Sequence, residues 1–154
     1  MTSKEETFRR LTVELRILEG TAEALQSRIG FVNAALTELR VADMTLEGLG
    51  KEKKDASLFI PIGGGSYVKA KLESADKMIV GIGANVAVER TVKVAKESMS
   101  SHIADLEKTR TSLHQQITQV IGRIQNNRSQ LQELTAKLSE KERGKGVRKT
   151  KNTS

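Results

Sequence analysis

The fold is decided by residues 57 to 91, which read SLFIPIGGGSYVKAKLESADKMIVGIGANVAVERT. Short runs rich in β-branched and apolar residues alternate here with two compact turns, Gly63-Gly64-Gly65 and Gly83-Ala84-Asn85. Glycine and asparagine accept the positive φ angles that tight hairpins require. The stretch therefore predicts two β-hairpins, with strands at residues 57–62, 66–72, 77–82 and 86–90.

The segments on either side of the hairpins carry the apolar repeat of a coiled coil. Apolar residues recur mostly at alternating spacings of three and four, as in helices that pack along each other. Two polar residues interrupt the second row: Arg110 can extend its guanidinium to water, and Asn127 is expected to fix the register at a cost in stability. The first row contains Phe8, Leu11, Leu15, Leu18, Ala22, Leu25, Ile29, Val32, Leu36 and Leu39, and the second contains Met99, Ile103, Leu106, Arg110, Leu113, Ile117, Val120, Ile124, Asn127, Leu131, Leu134 and Leu138.

Two helices joined by a compact insert must run antiparallel to bury these two apolar rows on each other. We therefore predict an α+β fold, a long antiparallel two-helix coiled coil with two central β-hairpins. Isolated hairpins leave free strand edges and apolar faces, so an oligomer with a β core is expected. The predicted boundaries are 3–43 for the first helix, 44–90 for the hairpins, 91–142 for the second helix and 143–154 for a disordered basic tail.

Composition and charge narrow the class of protein. Only 3% of the 154 residues are aromatic, which is too few for a large globular core. The net charge of +7 is concentrated after residue 140, so the rest of the chain is nearly balanced and unlike a basic nucleic-acid-binding face. The tail is either a solubilising segment or a contact for an acidic partner. The absence of cysteine and of an apolar signal segment predicts a cytoplasmic protein.

No pattern of catalytic or ligand-binding residues is present in the sequence. The glycine triplet at 63–65 is not followed by the lysine of a phosphate-binding loop, and His102 and His114 lack the spacing of a helical metal pair. The carboxylates fall mostly on helix faces beside basic residues, which indicates solvated ion pairs. We therefore expect no enzyme activity, no cofactor and no metal.

Between residues 4 and 140 the chain resembles the α-type subunits of the prefoldin family, which carry two hairpins where β-type subunits carry one. The similar stretches are Leu58–Val68, Lys77–Gly83 and Val86–Thr91. The resemblance implies a hexamer of two α and four β subunits, in which the hairpins oligomerise into a β-barrel body and the coiled coils project from it. It also implies an archaeal-type, ATP-independent holdase chaperone that captures unfolded client proteins and transfers them to a group II chaperonin.

Two sets of residues are the candidate functional positions under this resemblance. We expect the second helix to extend past the first, which would leave the apolar side chains at its end uncovered and available for binding. The predicted client-binding residues at the coiled-coil tips are Phe8, Leu11, Leu15, Ile124, Leu131, Leu134 and Leu138, and the predicted subunit-interface residues are Leu58, Phe59, Ile60, Val68, Ile79, Val80 and Ile82.

A second class of function stays open at this point, an antiparallel coiled-coil arm that binds RNA and is anchored by the basic tail. The near-neutral charge of the rest of the chain and its few aromatic residues disfavour this alternative. Salt separates the two hypotheses, because RNA binding weakens steeply as ionic strength rises.

Overall fold

The computed structural model describes residues 3 to 149, apart from the side chains of residue 142 and residues 144–149. The two predicted helices and four predicted strands are all present. They fall into two compact units, one comprising the residues up to Gly30 with those from Thr111 onward, the other Phe31–Arg110. The elements are α1 (Ser3–Leu49), β1 (Ser57–Gly63), β2 (Ser66–Lys71), β3 (Lys77–Gly83), β4 (Val86–Thr91) and α2 (Val92–Lys149).

In the first unit α1 and α2 run antiparallel. Residues 116–120 of α2 lie beside residues 17–28 of α1, whereas α2 residues 120–123 lie beside the earlier α1 residues 9–21. The apolar rows meet between the helices, as the heptad pattern predicts. The buried residues of this unit are Leu11, Leu18, Leu25, Ile29, Leu113, Ile124 and Asn127.

In the second unit the two helices also pair, next to the second hairpin. Leu36, Leu46 and Ala95 are the buried side chains here, with Leu36 only 1% exposed. Arg40 of α1 forms an ion pair with Glu107 of α2 at 2.6 Å. Each residue of the two apolar rows except Phe8 is buried or half-buried, so the heptad prediction is confirmed along both helices.

The helix ends differ from the expected boundaries. α1 continues past residue 43 to Leu49, because Leu46 extends the apolar row by a further turn and is buried. Gly50 follows directly, and its amide donates to the carbonyl of Leu46 at 2.9 Å, as in a helix C-terminus. At the start of α2, the hydroxyl of Thr91 accepts a hydrogen bond from the amide of Val94 at 3.3 Å and so caps the helix.

The basic tail was expected to be disordered from residue 143. Instead, α2 continues through residue 143 to Lys149, and residues 150–154 lie outside the described residues. Once a long helix is formed, each added residue gains a backbone hydrogen bond without needing an apolar partner. Helical backbone therefore extends beyond Leu138, the last residue of the apolar row.

The two hairpins repeat one geometry. β1 pairs with β2 and β3 with β4, both antiparallel, and each sheet contains two strands. Both turns have two central residues in the left-handed region, with φ of 59° and 73° at Gly64-Gly65 and 49° and 58° at Ala84-Asn85, as type I′ hairpin turns require. In both hairpins one isoleucine just before the turn, Ile62 or Ile82, interrupts the register as a bulge.

Candidate functional site

The first hairpin has one aliphatic face. Leu58 lies opposite Ala70, and Ile60 lies opposite Val68, so these four side chains share a face of the two-stranded sheet. Ile60 and Val68 are 48% and 47% exposed. Three of the predicted subunit-interface residues, Leu58, Ile60 and Val68, are therefore brought together on a surface that the chain itself leaves partly open.

The other face of the first hairpin is aromatic and basic. Phe59 lies opposite Lys69 and Pro61 opposite Tyr67, and Lys71 continues the row. Phe59 and Tyr67 are 69% and 63% exposed. The predicted interface residue Phe59 therefore lies on the opposite face of the sheet from Leu58, Ile60 and Val68. The alternation of side chains along β1 already indicates this separation.

The second hairpin exposes a different surface. Val80 lies opposite Val88, and both are half-buried together with Met78, which shares their face. On the opposite face Ile79 is 78% exposed, and Ile82 in the bulge is 60% exposed. The predicted interface residues Ile79, Val80 and Ile82 therefore point to both faces of this hairpin.

A cross-strand ion pair closes the far end of the second hairpin. The ammonium of Lys77 lies 2.8 Å from the carboxylate of Glu89. The hydrogen bond to Glu89 and the charge of Glu89 raise the pKa of Lys77 above its usual value of 10.5. Because both side chains are more than half exposed, the pair is screened by solvent and orients the strands more than it stabilises them.

A cavity of about 930 Å³ lies in the second unit between β3 and the adjoining parts of the helices. Residues 78–83 line one side, and Leu46, Ala95 and Met99 lie on the helix side. Within residues 3–149, β3 pairs only with β4, so its second edge carries backbone groups without a strand partner in this described part of the chain. An apolar cavity beside a free strand edge can accept a strand from another chain.

The predicted tip residues all belong to the first unit and follow the buried row. Leu11 and Ile124 are 5% and 8% exposed, and Phe8 is 36% exposed. The remaining four are half-buried: Leu15, Leu131, Leu134 and Leu138.

The expectation that α2 extends uncovered past α1 is wrong for these residues. Arg123 binds Glu14 at 2.9 Å and Arg128 binds Glu19 at 2.7 Å, so α2 residues just beyond Arg128 lie beside the N-terminal turns of α1. Because α1 ends at Leu49 and not at residue 43, the register of α1 against α2 differs from the expected one. Leu131, Leu134 and Leu138 are half-buried and so are not left fully uncovered, whereas Phe8 is exposed.

Asn127 is the one buried polar residue among the described residues. It is 5% exposed, and its side-chain oxygen Oδ1 is buried without a hydrogen-bond partner among the described residues. Such an orphaned acceptor destabilises the helix pair. The role of Asn127 in fixing the register stays a prediction.

Other site types find no support in the described residues. No group of three or more histidine, aspartate or glutamate side chains is arranged to hold a metal ion within this part of the chain. Among the described helices, none combines the length and apolar character needed to cross a membrane.

The comparisons with known proteins all indicate the same family. The family model for a prefoldin subunit matches residues 18–137. The prefoldin subunit alpha of Methanobrevibacter smithii is 30% identical, with 82% of this chain and 88% of the relative covered. That of Methanopyrus kandleri is 32% identical, with 73% and 72% covered.

Two solved structures are similar in fold. A filamentous PFD from Methanocaldococcus jannaschii, solved by cryo-EM, has a TM-score of 0.64 at 26% identity, covering 75% of this chain and 95% of that one. The prefoldin beta subunit from a Thermococcus strain has a TM-score of 0.55 at 16% identity, covering 82% and 90%, and supports the fold alone.

Proposed function

Because this chain belongs to the prefoldin family as an α-type subunit, we propose that it acts in an ATP-independent holdase. In this proposal the assembled chaperone captures non-native proteins at the ends of its coiled coils. It then transfers them to a group II chaperonin in the cytoplasm. Capture rests on apolar contacts and needs no cofactor, metal or catalysis.

The observation that carries the proposal is the apolar surface left open on both hairpins. Ile79, Phe59 and Ile82 are 78%, 69% and 60% exposed, although they belong to short, well-paired strands. Large apolar side chains left exposed on a folded chain indicate a protein-binding surface. We propose that this surface joins a second α subunit and β-type subunits into a hexamer of two α and four β subunits with a β-barrel body.

Support for client capture comes from the end of the coiled coil in the first unit. Phe8 is more than a third exposed, and Leu131, Leu134 and Leu138 are only half-buried near the end of the apolar rows. Helix ends fray, so opening the last turns would expose these side chains to a client. Several such ends in one assembly would add weak contacts through multivalency while each contact releases quickly.

The experiment uses the full chain assembled with a β-type prefoldin subunit. Replacing Leu131, Leu134 and Leu138 together with serine should weaken the suppression of aggregation of a chemically denatured client, monitored by light scattering. The mass of the assembly, measured by light scattering after size exclusion, should stay that of the hexamer. RNA binding as the main function instead predicts an interaction that falls steeply between low and physiological salt.

A matched control comes from exposed residues of the same helical segment. Gln130, Gln132 and Ala136 are all exposed, so replacing them with serine changes the segment without touching its apolar row. This control should suppress aggregation as well as the parent does. If the leucine variant also matches the parent while remaining hexameric, these residues do not bind clients.

A further inference from the structure

One face of the first hairpin combines exposed aromatic rings with lysines. Tyr67 lies opposite Pro61 and Lys69 opposite Phe59, so the two rings are diagonal neighbours on this face. Tyr67 and Phe59 are 63% and 69% exposed. The chain contains only three phenylalanines and one tyrosine, so half of its aromatic residues lie here. We call this surface the aromatic–basic face, and it consists of Ser57, Phe59, Pro61, Tyr67, Lys69 and Lys71.

The charge of the aromatic–basic face is positive and uncompensated. No aspartate or glutamate occurs in β1 or β2, and within the described residues neither Lys69 nor Lys71 takes part in an ion pair. The loop before β1 lies at the Lys71 end of the hairpin, because the amide of Asp55 donates to the carbonyl of Leu72 at 2.8 Å. This loop, residues 51–55, adds three lysines and two carboxylates. Although most of the chain is nearly balanced in charge, the first hairpin therefore carries a local positive excess.

The second hairpin has the same geometry without this chemistry. Its corresponding face carries Lys77, Ile79 and Glu89, and the ammonium of Lys77 is neutralised by Glu89 at 2.8 Å. No aromatic residue occurs in β3 or β4. The rings and lysines of the aromatic–basic face are therefore not needed for the hairpin fold, which indicates a separate role for them.

Burial of the aliphatic face of the first hairpin in an assembly leaves the aromatic–basic face outward. The aliphatic side chains of β1 and β2 lie on the opposite face, and a sheet that packs one face on a core can keep the other in water. Phe59 also belongs to the predicted subunit interface, whereas Tyr67, Lys69 and Lys71 do not. These three side chains are therefore the ones expected to stay available in the assembled protein.

We propose that the aromatic–basic face binds single-stranded nucleic acid. A base stacks on the ring of Tyr67, and the ammonium groups of Lys69 and Lys71 contact neighbouring phosphates. Such contacts tolerate any sequence, because every base has an aromatic face and every nucleotide a phosphate. Lysines alone would attract any polyanion, but the exposed ring favours bases over an acidic peptide. The site lies on the hairpin and uses neither the coiled coil nor the basic tail.

The first test measures fluorescence anisotropy of labelled oligonucleotides of about 12 nucleotides with the full chain, alone and assembled with a β-type subunit. Oligothymidylate and oligouridylate should both bind, and the ratio of their affinities distinguishes DNA from RNA as the ligand. An abasic strand with the same phosphates should bind about fivefold more weakly or worse, because stacking is lost. Equal binding of the abasic strand or of polyglutamate would overturn the proposal, and so would loss of binding on assembly.

The second test removes the ring of Tyr67. Tyr67→Phe keeps a ring and should bind oligothymidylate as the parent does. Tyr67→Ile replaces the ring with another strand-favouring side chain and should weaken binding about fivefold or more. Amide exchange in β1 and β2 checks that the hairpin is intact in both variants. If Tyr67→Ile with an intact hairpin binds as tightly as the parent, the proposal is wrong.

The third test removes the charge of the face. For single strands the logarithm of the binding constant falls with the logarithm of the salt concentration by about 0.7 per phosphate contact, so Lys69→Gln with Lys71→Gln should make this slope less steep by about 1.4. Lys93→Gln with Lys108→Gln is the matched control, because both lysines are exposed on α2 and form no ion pair among the described residues.

The control removes the same charge from the same chain and should leave the slope unchanged. The basic tail is present in both double variants, so its own attraction for nucleic acid cannot produce a difference between them. Equal slopes for the two double variants would contradict the proposal. None of these outcomes bears on client capture, which the aggregation assay reports with no nucleic acid present.

Discussion

Replacing Asn127 with leucine should stabilise the coiled coil. The side-chain oxygen of Asn127 is buried without a hydrogen-bond partner, and the residue is 5% exposed. An unsatisfied buried polar group costs about 1–3 kcal/mol. A leucine removes that penalty and adds apolar burial, but fitting its different shape into a packed row costs about 1 kcal/mol or more, which reduces the gain. We therefore expect Asn127→Leu to raise the free energy of unfolding by about 1–3 kcal/mol.

The measurement is denaturant unfolding followed by circular dichroism, with parent and variant at the same subunit concentration because assembly shifts the midpoint. Asn126→Leu is the control, since Asn126 is exposed on the neighbouring position of the same helix. A surface change of this kind should alter the free energy by no more than about 0.5 kcal/mol. If Asn127→Leu is neutral or destabilising while the control behaves as expected, the buried oxygen is not an energetic penalty.

Three further outcomes follow from the second unit. Ile79→Lys introduces a charge at a position where the side chain is 78% exposed, so helicity should persist. Assembly with β-type subunits, measured as mass by light scattering, should be lost, and a hexamer of normal mass would contradict the proposed interface. Gly63→Ala, at φ +101°, should destabilise the first hairpin by about 1 kcal/mol or more, seen as faster amide exchange in β1 and β2, and unchanged exchange would show that the turn tolerates a side chain. Because Glu89 raises the pKa of Lys77 above 10.5, the small stabilisation by this exposed pair is present below that pH and disappears as the pH rises through the raised value. Lys77→Met should therefore lower the unfolding midpoint only slightly at neutral pH, with the difference from the parent narrowing at strongly alkaline pH.

The apolar rows and the turns could be predicted from the sequence because each depends on local spacing. A heptad repeat has one arrangement that buries it, and Gly64-Gly65 has few conformations other than a tight turn. For the same reason both hairpins were predicted, with nearly correct strand boundaries. It also placed Arg110 and Asn127 within the row, where the structure has them half-buried and buried.

The features that sequence reasoning missed depend on how the helices pair. The register of α1 against α2 follows from the end of α1 at Leu49, which lies beyond the predicted end at residue 43, and α1 continues through Gly48 because a long helix tolerates a single glycine. Val13 and Ile17 lie four residues apart on α1 outside the predicted heptad row, and both are exposed, so the heptad pattern alone did not indicate this second apolar row.

The repetition of one hairpin geometry has a consequence for polymerisation. β1 and β3 each have 7 residues and β2 and β4 each have 6, and both hairpins carry the same bulge and the same turn. In the proposed assembly, a subunit with two equivalent hairpins is bifunctional and can be linked on two sides, whereas a subunit with one hairpin ends a chain of links. Under that proposal, the number of hairpins per subunit sets whether a growing assembly is continued or terminated.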